Sequence, residues 1–367
     1  MPEIDAVVII TGWNAHVDVA IDAMRAGKYV GLEVGGAYSI EEYWKLIRAY
    51  EETGTPLMML ENCCYGQLEL MFLNMVKKGV LGEIVHCEGG YHHYLPEETT
   101  AGETKRHYRA INYQLRNCHN YPSHDLLPIS KILNINDGNR ILSLASFPSK
   151  SVGINECVKR EFGEDHPLVH ARFAQADIVT TVIKCARGET ITLTLDTTLP
   201  RGYSRGLCVH GTLGYAEEAS KSIFLEKDMN KYKNPHRADM NNIPKYAKKY
   251  EHPLWKDYEV DKVKAAGHGG MDWHVLRAFF ESAMAGVEPP IDIYDAVTIM
   301  AITPLSEDSI ATGSSFVAVP DFTAGKWMNR GKRKFIESYR LDATPRIRKP
   351  KADPKKAAKT KTKSKAK

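Results

Sequence analysis

The first eighty residues alternate between short apolar runs and amphipathic stretches, and this alternation restricts the fold more than any other feature. Asp5 to Ile10 is a β-branched run, followed by Val17, Ala20, Ile21 and Met24 at helical spacing. Gly27 ends that helix, where a left-handed residue commonly closes a C-terminus. Tyr29 to Leu32 forms a second strand. Ser39, with Glu42 three residues on, is a capping box. The helix it opens carries Tyr43, Leu46, Ile47 and Tyr50 on one face and stops at Gly54. Pro56 to Leu60 supplies a third strand, and Leu68, Met71, Phe72, Met75 and Val76 line a third helix. Strands joined through helices by short links make right-handed crossovers and a parallel sheet. This is the second half of a doubly wound fold. The G-x-G-x-x-G turn that opens such a fold, and brings backbone N–H groups to a pyrophosphate, does not occur in the sequence. The expectation is therefore a partial nucleotide-binding domain over 1–80 that lacks its first strands.

From about Glu83 the pattern changes. Extended segments at 84–93, 141–147, 178–185, 190–198, 206–216 and 221–226 follow one another, several through glycine turns such as Arg187-Gly188. Such succession predicts an antiparallel sheet within a second domain over 81–335. Residues 227–262 read as a polar excursion, 271–285 and 294–302 as helices, and 316–319 as a last strand. The segment 346–367 is Lys/Ala/Thr/Pro-rich and is expected to be a disordered tail.

That tail changes the meaning of the net charge. The chain has 49 basic and 45 acidic residues, a formal +4. Residues 346–367 hold eleven Lys and Arg against Asp353, which leaves 38 basic and 44 acidic residues in the body. The folded part is thus acidic, which argues against nucleic acid as a partner. The seven cysteines are odd in number and irregularly spaced, with no CxxC pair, so neither a disulfide framework nor a metal site is expected and a reducing cytoplasm suits them. The longest apolar runs are far too short to span a bilayer.

Two stretches carry a resemblance. Asp5-Ala6-Val7-Val8-Ile9-Ile10-Thr11-Gly12-Trp13-Asn14-Ala15-His16, then Ala26-Gly27-Lys28-Tyr29-Val30-Gly31-Leu32-Glu33, resemble the Gfo/Idh/MocA oxidoreductases. Later motifs narrow the likeness: Glu61-Asn62-Cys63-Cys64-Tyr65, Gly90-Tyr91, Asn120-Tyr121-Pro122-Ser123-His124, Gly267-His268-Gly269-Gly270-Met271-Asp272 and Pro320-Asp321-Phe322 resemble the branch containing glycoside hydrolase family 109. The resemblance covers roughly residues 3–330. It implies an α/β plus α+β architecture: a partial Rossmann-like parallel sheet followed by an antiparallel open-sheet domain. It also implies a nicotinamide cofactor (NAD, with NADP left open), a small sugar or glycoside substrate, and a homo-oligomer formed through the C-terminal sheet.

Carried onto this sequence, the family pattern places cofactor contacts on Thr11, Trp13, Asn14, Ala15, His16, Glu33, Val34 and Asn62. It places substrate contacts on Tyr91, Arg109, Tyr121, Pro122, Ser123, His124 and Tyr203, with catalytic roles for His124, Tyr121, Tyr91 and Glu61. Ordinary sugar dehydrogenases of the superfamily carry a Glu-Lys-Pro motif at the end of the fifth strand. This chain reads Glu33-Val34-Gly35, a departure shared with the glycosidase branch. A glycosidase of that kind oxidises the sugar 3-hydroxyl, loses the acidified C2 proton, expels the aglycone, adds water and returns the hydride. Proton handling is what the protein must supply. A histidine is the default group near neutrality, and tyrosines serve if a cation such as Arg109 lowers their pKa. His92 and His93 alternate across a strand, so at most one shares the face of Tyr91. Three functional readings are open: an α-N-acetylgalactosaminidase-like enzyme, a sugar dehydrogenase with net cofactor reduction, and a catalytically silent oligomeric homologue.

Overall fold

The computed structural model describes residues 3–36, 38–100, 108–229, 240–256 and 267–343. The basic tail and part of the polar excursion lie outside these residues. The alternating first third forms as read. Strands β1 (Ala6–Ile9), β2 (Tyr29–Leu32) and β3 (Leu57–Met59) pair in parallel in the order β1-β2-β3. Helices α1 (His16–Arg25), α2 (Ile40–Thr53) and α3 (Gln67–Lys77) connect and cover them. Strand β2 is buried along its whole length, as a central parallel strand is. The Ser39–Glu42 capping box is present, and Gly54 closes α2 in the left-handed conformation.

The second sheet has eight strands in the order β10-β9-β8-β4-β7-β6-β5-β11. They are β4 (Ile84–His92), β5 (Ile141–Pro148), β6 (Ile178–Cys185), β7 (Thr190–Asp196), β8 (Cys208–Gly211), β9 (Gly214–Glu217), β10 (Ser222–Leu225) and β11 (Val317–Ala318). Every neighbouring pair is antiparallel except β4 and β7, whose ladder from His86↔Thr190 to His92↔Asp196 is parallel. The hairpin logic missed this pair because β7 is the second arm of the β6–β7 hairpin, and that hairpin lies far along the chain from β4.

Two helical segments were not legible as such, Tyr108–Leu115 and Gly153–Phe162; the helix whose first turn Pro122 signals runs over Ser123–Ile132, with Pro128 inside it. The single helix expected over 294–302 is two, Ile293–Met300 and Ile302–Ala311. Pro304 explains the break: it has no N–H to donate and its ring crowds the Met300 carbonyl four residues back. One continuous apolar core joins both sheets, running from Val30 and Met58 through Phe72 and Leu126 to Ile183 and Leu193. The helix Ser123–Ile132 packs on both β4 and the turn that follows β3, and so joins the end of the small sheet to the larger one.

Candidate active site

Ligand sites of open α/β sheets form beyond the carboxyl ends of the strands, and the candidate residues gather there. Glu61 follows β3 and is completely buried. It caps the short turn Asn62–Tyr65 by accepting from the Cys63 N–H at 2.9 Å. Its two carboxylate oxygens lie 2.8 and 2.9 Å from Nδ1 of His124. His124 enters from the first turn of the helix Ser123–Ile132, in which Ser123 is buried and Pro122 holds the N-cap position. The ring keeps 14 % side-chain exposure, so one edge reaches the cleft. With Nδ1 taken by a carboxylate, the proton belongs on Nδ1 and Nε2 is the acceptor available to a ligand.

Aromatic rings wall the cleft above this pair. Tyr121 and Tyr91 stack at 4.4 Å, and His124 meets both edge-on at 4.9 and 5.5 Å. Trp13 lies 5.9 Å from Tyr121. Arg109, from the helix Tyr108–Leu115, is buried against all three rings, its guanidinium 4.7 Å from Tyr121, 5.7 Å from Trp13 and 5.8 Å from Tyr91. Its charge is met by Glu98 at 2.6 Å. Tyr203 is half-exposed at the rim, 5.0 Å from His93 and held by Arg205 at 3.2 Å.

The electrostatics divide the two strand-end carboxylates. Burial alone would raise the Glu61 carboxyl, but His124 beside it and the Cys63 N–H hold it below the usual range. Glu33, at the end of β2, is pushed up by burial first; its bond to the Val34 N–H opposes this, and the charges of Glu61 and Asp272 add to it. Such opposed neighbours are how one site keeps a base and a proton holder together. Arg109 does lower Tyr91 as anticipated, yet burial outweighs it and the Tyr91 hydroxyl is raised overall. Tyr91 is thus a phenol that hydrogen-bonds, not a phenolate base. Burial likewise pushes Tyr203 up to about 12.

Of the residues assigned to the cofactor, Trp13 is buried and Thr11 and Asn14 are exposed in the loop after β1, and His16 is buried at the start of α1. His16 bridges the Thr11 carbonyl (2.9 Å) and the Gly35 carbonyl (3.1 Å), tying this loop to the end of β2. Ala15 is half-buried beside them. Val34, where the dehydrogenase motif has lysine, is buried in the core. Gly35 and Gly36 have φ of +84° and +106°, and a Cβ on Gly35 would stand 1.9 Å from Trp13 Nε1. Only glycine fits that close approach. The Asn62 amide donates to Asp272 at 2.7 Å, and His268 holds the other Asp272 oxygen at 2.7 Å.

Several site residues escaped the sequence reading. Glu98 carries no motif, since only the fold turns its short helix toward Arg109. His93 was one of two candidates; its Nδ1 sits 3.1 Å from the Tyr91 hydroxyl, as the period of two allows. Gln175 is buried and clamps the segment leading to Tyr121, its Oε1 accepting from Asn120 (3.0 Å) and its Nε2 donating to the Cys118 carbonyl (3.0 Å). No sequence signal marks it.

The family model for the glycosyl hydrolase 109 C-terminal domain matches residues 65–329. A glycosyl hydrolase family 109 protein of Stenotrophomonas maltophilia is 41% identical over 345 residues, covering 89% of this chain and 74% of the relative. The chain belongs to glycosyl hydrolase family 109. An α-N-acetylgalactosaminidase of Tannerella forsythia is 39% identical over 347 residues, covering 89% of this chain and 73% of that protein. Among solved structures, a levoglucosan dehydrogenase in complex with NADH superposes with a TM-score of 0.62 at 17% identity, over 88% of this chain and 81% of the other. An inositol dehydrogenase homologue from Azotobacter vinelandii, complexed with NAD+, gives 0.58 at 17% identity, over 86% and 78%. The family 109 chain shares the fold of these two structures. Among the described residues, no helix of the family 109 chain is long and apolar enough to cross a membrane.

Proposed function

We propose that this chain is a nicotinamide-dependent glycoside hydrolase of the α-N-acetylgalactosaminidase type. The observation that carries the reading is the buried Glu61–His124 pair at the end of a parallel strand, opening on a cleft of stacked tyrosines. Gly35 and Gly36 let Trp13 and His16 pack directly on the backbone after β2, which fixes these two rings at the carboxyl ends of the strands, where a dinucleotide is held in open α/β sheets. Thr11, Trp13, Asn14, Ala15, His16, Glu33, Val34 and Asn62 would hold the nicotinamide end of NAD there. When bound, that group accepts and returns a hydride.

The chain's own part is proton management. His124 takes a proton at Nε2 while Glu61 holds Nδ1–H and offsets the charge that develops on the ring. Tyr91, kept protonated by burial, and Tyr121 present hydroxyls to the sugar. Arg109 holds the three rings in place, and Tyr203 borders the leaving-group side. Two carboxylates acting directly on the glycosidic bond are not the arrangement here, because Glu61 is engaged by His124. All seven cysteines are unpaired and buried, which supports a cytoplasmic location. A homo-oligomer through the second sheet is supported by its outer face, where half-exposed Phe147 pairs with Thr180 and Thr180 with Thr194.

The test uses the purified full chain with an aryl α-N-acetylgalactosaminide. Cleavage that requires NAD and leaves no net NADH is expected, together with a raised melting temperature in excess NAD. Stoichiometric NADH would establish the dehydrogenase reading instead. Absence of both turnover and thermal protection, with NAD and with NADP, would sink both.

A further inference from the structure

Glu61 and His124 have a third neighbour that the reaction does not use. The Cys63 thiol is buried two residues from Glu61, and one carboxylate oxygen, this sulfur and a ring nitrogen of His124 lie within 4.8 Å of one another. No other such cluster of three occurs among the described residues. We propose that Glu61, Cys63 and His124 form an inhibitory site for a thiophilic divalent cation of the Zn2+ class. The inhibitory half rests on the reading of His124 as the proton acceptor; the binding half does not.

The donor set suits such an ion. Zinc takes carboxylate oxygen and imidazole nitrogen at about 2.0 Å and thiolate sulfur at about 2.3 Å, usually in a tetrahedron. Three protein ligands leave a fourth position for water, and the partly exposed edge of His124 provides the entry. Around a tetrahedral ion, neighbouring donors stand roughly 3.3–3.6 Å apart. The His124–Glu61 contact at 2.8 Å must open slightly and the sulfur must move inward. Both are side-chain adjustments. The turn Asn62–Tyr65 already fixes Glu61 and Cys63 on one side, with the sulfur 3.4 Å from Asn62 Oδ1.

Charge also closes. One carboxylate and one thiolate neutralise a dication, so the loaded site is neutral where the empty one holds the single negative charge of Glu61. On binding, the Cys63 S–H proton leaves to solvent, the ion bonds to the sulfur, and the Nδ1 proton of His124 is transferred to Nε2 as Nδ1 becomes a ligand. No electron is transferred. The cost to activity is direct: Nε2 changes from acceptor to donor, and the group that receives the substrate proton is lost.

Cobalt reports on this without substrate, because a thiolate bound to Co2+ gives a near-ultraviolet charge-transfer band and tetrahedral geometry gives intense visible bands. The chelator-treated full chain, titrated with CoCl2, is expected to develop both at one equivalent, and ZnCl2 to abolish them. Cys63→Ala, and the near-isosteric Cys63→Ser as a control for folding, should lack the sulfur band. In the glycoside assay, Zn2+ should inhibit the wild type and a chelator should restore it. Cys63→Ala should keep its basal activity and need about 10-fold or more Zn2+ for the same inhibition. A charge-transfer band that survives in both variants, or no band at stoichiometric Co2+, overturns the site. A band that appears as expected while Zn2+ leaves turnover unchanged overturns the inhibitory half. If the chain hydrolyses no glycoside at all, the functional reading fails, and the cobalt spectra still decide the site.

Discussion

Glu33 and Glu61 occupy equivalent places, each just past the end of a parallel strand, yet their surroundings drive them in opposite directions. Glu61 stays ionised because His124 and the Cys63 N–H repay its burial; Glu33 has one N–H and two negative neighbours. The division makes a prediction for single residues. His124→Ala and Glu61→Gln should each lower kcat by about 100-fold or more with a smaller change in KM, as removal of a proton acceptor or its orienting carboxylate does. Steady-state kinetics on the aryl glycoside checks this. A Glu61→Gln enzyme as active as the wild type would mean that the carboxylate only caps its turn. The sequence marked Glu61 and His124 as separate motifs; that one holds the other is a fact of the packing between the turn Asn62–Tyr65 and the helix Ser123–Ile132. The outcome at Tyr91 was illegible for a similar reason. A cation can be guessed from a nearby arginine, whereas the depth of burial that outweighs it cannot.

At the level of elements, periodicity worked where an element has one apolar face and end signals of its own. α2 is the clear case, with its serine cap, its glycine stop and its stripe. It failed where the chain is buried all round, as in the helix Ser123–Ile132 and the pair broken at Pro304. The helix Met271–Ala285 carries a consequence for stability. It buries His274 against Trp255 at 4.9 Å. Burial first, then Arg277, depress His274 to about 4; burial first, then Lys77, His274 and Lys78, do the same to His252. Both are neutral in the folded chain at pH 5, while an unfolded histidine takes up a proton near 6.5. Unfolding therefore binds protons between pH 6.5 and about 4, so stability is complete above that window and falls as pH falls through it. The slope is at most about 1.4 kcal/mol per pH unit for each histidine. Melting temperatures recorded from pH 7.5 to 4.5 should drop accordingly, and His274→Phe should remove about half of the dependence. A variant with the wild-type profile would refute the assignment.

For the whole molecule, the outer face of the second sheet is the surface that the proposed second copy would cover. Phe147, Thr180, Val182, Thr192 and Thr194 form a partly exposed strip on it, bordered by Glu88 and Lys184. A weakly polar centre with a charged rim is the composition of a protein interface. Sedimentation of the full chain should show a dimer or larger species, and Phe147→Lys should shift it toward the monomer. A monomeric wild type at micromolar concentration would leave the face without the proposed partner. Elsewhere, what the sequence could not convey about the whole was the parallel pairing of β4 with β7.

That pairing has a cost in time. Residues 93–189 lie between the two strands, and within them are Arg109, Tyr121 and His124, while Tyr91 stands on β4 itself. Closing so long a loop demands entropy before any contact rewards it. The parallel β1–β3 unit, built from local crossovers, can assemble without waiting for it. Glu61 belongs to that local unit, whereas Arg109, Tyr121 and His124 belong to the long loop that the pairing closes, so the site joins a part of the chain with cheap, local closure to one whose closure is entropically dear.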